Sequence, residues 1–148
     1  MARRSFTITA QVELPEGGAE GMLFTQGGFT AGWGFYVQDR RLVGVHNYLG
    51  LDRYRVVSSE PVPTGRVTLA MEFAYAGAAR EMGRGGTIVL RANGREIGRG
   101  EVGRTVPFKY SLYEGQDIGE DSGSPVEFTY TPPFAFTGRL GEVVVELR

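Results

Sequence analysis

Cysteine is absent from this 148-residue sequence, and histidine occurs once, at His46. The first absence excludes disulfide scaffolds, thiolate zinc sites, iron–sulfur clusters and a cysteine nucleophile. The second removes any two-histidine metal site or proton relay. A positive surplus is missing too: 16 Lys and Arg stand against 17 Asp and Glu, a formal net charge of −1. Binding to a nucleic-acid backbone needs a basic excess to displace counterions, so that class is set aside. Lysine is reduced to Lys109, and every other basic side chain is arginine. Arginine's planar fork suits carboxylates and phosphates, although GC-rich coding gives the same skew together with Gly and Ala. No window reaches the roughly 18 apolar residues of a membrane span. The pair Arg3-Arg4 is followed by alternation and not by the apolar run of about 7–15 residues that an export signal requires. The expectation is a soluble chain, cytoplasmic by default, with no nucleic-acid or membrane partner.

What the sequence does contain is glycine, 23 residues without a period, and a two-residue alternation that recurs almost everywhere. Phe6, Ile8, Ala10, Val12 and Leu14 face one way; Ser5, Thr7, Thr9, Gln11 and Glu13 face the other. Val67, Leu69, Met71, Phe73 and Tyr75 repeat the arrangement, and Val143, Val145 and Leu147 end the chain against Glu142 and Glu146. Half-buried antiparallel strands read this way. Asn93-Gly94 between two such runs predicts a tight hairpin, because both residues tolerate positive φ. Asp39-Arg40 predicts a second, joining 33–38 to 41–47. With strands near 21–26 and 51–57 the count reaches about ten. The fold class is therefore all-β, an antiparallel two-sheet sandwich or jelly roll, with the first and last strands side by side. A single domain over 1–148 is expected. Only 103–137 breaks the pattern: it carries Pro107, Pro125, Pro132 and Pro133 and an acidic cluster, and long irregular segments of compact domains are commonly functional.

Chemistry is sparse. Asp117, Glu120 and Asp121, with Glu114 upstream, offer oxygen ligands for calcium, but Gly119 sits where an EF-hand loop places its second ligand. A glycosidase pair needs two carboxyls held roughly 5–9.5 Å apart across a cleft, whereas these acids crowd one loop. Ser58, Ser59, Ser122 and Ser124 have only His46 as a partner and lack a Gly-x-Ser-x-Gly elbow. Gly83-Arg84-Gly85-Gly86 is followed by no helix that would cradle a phosphate. The binding candidates are aromatic: Phe29, Trp33, Tyr36, His46, Tyr48 and Tyr54 cluster in sequence. Trp33, Phe35 and Val37 share one strand face, which predicts a buried Trp33 and leaves Tyr36 as the exposed ring on the other. His46 lies on a strand, where a lone histidine is usually packed or on the surface, and only occasionally a ligand.

Three stretches carry a resemblance to a known family: Gly17–Gly21, His46-Asn47-Tyr48-Leu49-Gly50-Leu51-Asp52-Arg53-Tyr54, and Arg104-Thr105-Val106-Pro107-Phe108-Lys109-Tyr110-Ser111-Leu112 running on through Asp117 to Val126. They resemble the C-terminal part of long bacterial arylsulfatases, over about Ser5 to Leu147. The resemblance implies a concanavalin A-like jelly roll appended to a sulfatase catalytic domain. The family's catalytic apparatus is not carried over. Its Cys/Ser-x-Pro-x-Arg formylglycine motif has no counterpart, and no position matches its calcium ligands. What the resemblance implies is a non-catalytic accessory domain that docks on a sulfatase catalytic domain in cis or in trans; a stand-alone, lectin-like glycan-binding module is the alternative. The docking or binding residues are then Tyr36, His46, Tyr48, Tyr54, Arg104, Lys109 and Tyr113. No cofactor is expected beyond calcium at Asp117, Glu120 and Asp121.

Overall fold

Alternation is realised strand by strand. The computed structural model describes residues 5–27, 32–76, 84–105, 116–120, 126, 130 and 134–147, with backbone only at 116 and 117. Among these residues there are ten strands: β1 (Phe6–Leu14), β2 (Gly21–Gly27), β3 (Gly32–Gln38), β4 (Arg41–Tyr48), β5 (Asp52–Val57), β6 (Gly65–Tyr75), β7 (Arg84–Ala92), β8 (Arg95–Arg104), β9 (Gln116–Ile118) and β10 (Arg139–Leu147). They form two five-stranded sheets, ordered β10-β1-β6-β7-β8 and β5-β4-β3-β2-β9. Every strand pairing is antiparallel. Among the described residues no helix is long and apolar enough to cross a membrane.

Turn chemistry fixes the hairpins. Asp39 and Arg40 have φ of 52° and 63°, and Asn93 and Gly94 have 52° and 81°, the signs a type I′ turn requires. Asn93 is also locked from outside, because its Oδ1 accepts the Thr68 N–H at 3.0 Å. The alternating faces of β1 and β6 meet in register, Phe6 opposite Phe73 and Ile8 opposite Met71. Their side chains fill the space between the sheets with Trp33, Phe35, Leu42, Ile88 and Leu90. Trp33 is fully buried, edge-on to Phe6 with ring centroids 5.0 Å apart, and 4.8 Å from Phe73. Gly44 lets the sheets approach: a Cβ there would lie 2.7 Å from Met71 Sδ.

Two expectations are corrected. Tyr36 does lie on the opposite face of β3 from Trp33, yet it is wholly buried. Val126, Tyr130 and Phe134 cross that outer face and build a second apolar cluster with Met22, Tyr36, Val43 and Val45. Tyr130 and Phe134 meet the Tyr36 ring edge-on at 5.3 and 5.7 Å. Part of the irregular 103–137 segment is thus a packing element for the second sheet. At the other end of the chain, β10 pairs with β1 as alternation at both termini predicts. Its inward residues are only partly covered, however, with Val145 36% and Leu147 46% exposed. β10 is an edge strand, and β9, at the edge of the other sheet, is three residues long.

Candidate ligand-binding end of the sandwich

The hairpin between β4 and β5 builds the most chemically distinctive surface among the described residues. Its turn is closed by the Leu51 N–H donating to the Tyr48 carbonyl at 2.9 Å, and by the Gly50 N–H donating to Asn47 Oδ1, also at 2.9 Å. Leu49 and Gly50 both adopt left-handed backbone, φ 53° and 71°. This pushes Leu49 and Leu51 into solvent, 50% and 74% exposed. The register then sets Tyr48 opposite Asp52 and His46 opposite Tyr54. Directly opposed residues share a sheet face, so these four side chains project together toward the other sheet.

They do different things there. His46 lies deepest, fully buried, its ring 4.1 Å from that of Trp33. Burial lowers its pKa from 6.5 to about 3, against a smaller upward pull from a backbone hydrogen bond with Gly32, so it is neutral at physiological pH. Tyr48, Asp52 and Tyr54 stand further out, half-buried, where β8 ends over β5. Gly103 makes room for the Tyr54 ring, since a Cβ there would lie 3.1 Å from the tyrosine hydroxyl.

Arg104 completes the cluster. Its Nη2 donates to Asp52 Oδ2 at 2.5 Å, and its guanidinium carbon stands 4.2 Å from the centre of the Tyr48 ring. The hydrogen bond to Asp52, followed by one to the Tyr54 hydroxyl, raises the arginine's pKa further above its ordinary value. Half of the side chain remains in solvent. A charged fork held by a carboxylate, a phenol and an aromatic face is pre-organised, and a ligand that meets it need not order it. Beside it on β7, Arg84 is exposed and directly opposite Arg104 in the strand pairing.

The structure thus brings together three of the residues singled out in the sequence, Tyr48, Tyr54 and Arg104, with His46 behind them. Tyr36 lies on the far side of its sheet. Lys109, Tyr113 and Asp121 fall outside the described residues, as does the Asp117 side chain; Glu120 is exposed. Among the described residues no three His, Cys, Asp or Glu side chains group as metal ligands. Asp52, Arg84 and the two leucines are additions. Asp52 falls in a strand legible near 51–57, but its pairing with Tyr48 depends on a turn that residue type does not announce. Arg84 depends on the β7–β8 register at its far end.

Comparison with known proteins bears on the fold. No protein-family model matches the chain, and no curated protein matches it. Among solved structures, the LG4-5 domains of the mouse laminin alpha1 chain align over 97% of this chain and 36% of theirs, with a TM-score of 0.63 and 16% identity. A heptameric SAP-like pentraxin from Limulus polyphemus aligns over 96% of this chain and 63% of its own, with a TM-score of 0.54 and 14% identity. The fold is a concanavalin A-like jelly roll. The chain spans about a third of the laminin structure and somewhat under two thirds of the pentraxin. Neither jelly-roll neighbour is a sulfatase, and none of the comparisons links this chain to arylsulfatases.

Proposed function

We propose that this jelly roll is a non-catalytic, lectin-like carbohydrate-binding module whose ligand meets Tyr48, Tyr54 and Arg104 at the β4–β5 end of the sandwich. The observation that carries the reading is the convergence of two half-exposed tyrosines on a pinned arginine. A sugar ring has an apolar C–H face and polar edges. Aromatic side chains supply area for the first, while Arg104 and Asp52 supply a fixed donor and acceptor for the second. Leu49 and Leu51 extend the apolar rim at the turn.

A glycan array followed by calorimetry on the full chain tests this. The expected result is measurable binding of at least one saccharide class, weakened at least about tenfold, roughly 1.4 kcal/mol, by Tyr48→Ala and by Arg104→Ala. A silent array, or two variants that bind as the wild type does, overturns it. The accessory-domain reading rests on the sequence resemblance alone; two of the stretches that carry it, His46–Tyr54 and the one starting at Arg104, meet at this same end. It predicts that a sulfatase catalytic domain added in trans protects Tyr48–Tyr54 from amide exchange. Unchanged exchange overturns that reading.

A further inference from the structure

We infer that the saccharide taken at this end carries a carboxylate, held between Arg84 and Arg104; the inference rests on the glycan-binding reading above. The two arginines are directly opposite each other where β7 and β8 pair. Opposed residues of an antiparallel pair have Cβ atoms about 4.5–5.5 Å apart, and like charges in that position are destabilising. The Arg104 side chain and the Arg84 backbone are both held. Arg104 is fixed by Asp52, Tyr54 and the Tyr48 ring. The Arg84 backbone is pinned on both sides, its N–H donating to the Tyr75 hydroxyl at 3.2 Å and its carbonyl accepting from Thr105 Oγ1 at 2.6 Å.

Among the described residues, Asp52 is the carboxylate that pairs with either guanidinium. Among these residues, one carboxylate against two guanidiniums leaves a positive balance, in a chain whose formal net charge is −1. A second carboxylate, brought by the ligand, offsets that charge. It also matches the bidentate geometry of a guanidinium fork, the strongest kind of charged hydrogen bond. The tyrosines would meet the sugar ring and the arginine pair its acid group. A uronic acid is the simplest saccharide that carries both.

Calorimetric titration of the full chain with glucuronic acid, galacturonic acid, their neutral parents glucose and galactose, and acetate separates the two readings. The expected result is that each uronic acid binds at least about tenfold tighter than its parent, with the advantage shrinking as salt rises through about 0.1 M, where screening acts over about 10 Å. Arg84→Gln is expected to bring that ratio close to one, and Arg84→Lys to keep most of it, with thermal unfolding showing both variants folded. Uronic acids binding no better than their parents, or a ratio that survives Arg84→Gln, overturns the carboxylate inference while leaving the module a glycan binder. Acetate binding as tightly as the uronic acids keeps the arginine pair as an anion site and overturns the glycan reading instead.

Discussion

Leu49 sits in a backbone conformation that costs a leucine roughly 1–2 kcal/mol, because its Cβ crowds the following carbonyl. Two other hairpins of this protein use the same left-handed pair of residues, and there the first position is Asp39 or Asn93, types that tolerate it. At Leu49 the residue is apolar and half exposed, and a second exposed leucine, Leu51, follows two residues later. Leu49→Asn is therefore expected to stabilise the fold by on the order of 1 kcal/mol, read as a higher urea midpoint with an unchanged denaturant slope. A lower midpoint would mean that the leucine makes a compensating contact in the folded chain. The three turns show what is legible at this scale. Asn93-Gly94 and Asp39-Arg40 announce themselves by residue type, whereas Leu49-Gly50 does not, since the hydrogen bonds from Leu51 and Gly50 impose the turn on a residue that disfavours it.

Strand faces were readable element by element, because a two-residue period allows only two sides. Val12, Leu69 and Phe35 fall where alternation puts them, on the inter-sheet face. What alternation does not say is what covers the other side. The outer face of β3 and β4 presents Tyr36, Val43 and Val45, and it is buried because residues near 126, 130 and 134 return across it. That return is a long-range event, marked in the sequence only by aromatic residues in a proline-rich segment. Tyr36→Ala should then behave as a core truncation and cost about 3–5 kcal/mol, the range for deleting a large buried aromatic. An exposed Tyr36 would cost under about 0.5 kcal/mol, so chemical denaturation distinguishes the two placements cleanly. The candidate site has the same dependence on pairing: Tyr48, Asp52 and Tyr54 are close in the chain, but Arg104 reaches them because β8 lies over β5.

At the scale of the whole molecule, the buried imidazole ties stability to pH. Folding lowers the His46 pKa from 6.5 to about 3, chiefly by burial, so the unfolded chain binds the proton more readily than the folded one. Stability from this group is fully present above pH 6.5 and is lost as pH falls toward 3. Between pH 6.5 and 5, above most carboxylate titration, the loss expected from one such histidine is about 2 kcal/mol. Unfolding free energies measured across that window should fall for the wild type and stay nearly flat for His46→Phe; a wild-type curve as flat as the variant's would contradict a buried neutral histidine. The sequence by itself determined the all-β class, the side each strand buries, two of the tight turns and the neighbouring of the terminal strands. Those are consequences of side-chain alternation and backbone preference, which act over a few residues. Tertiary structure alone decided that Tyr36 is covered, that β10 is an edge strand among the described residues, and that Arg104 stands beside two tyrosines with Arg84 opposite it in the strand pairing. Those outcomes depend on which distant strands lie face to face, and no local pattern encodes that packing.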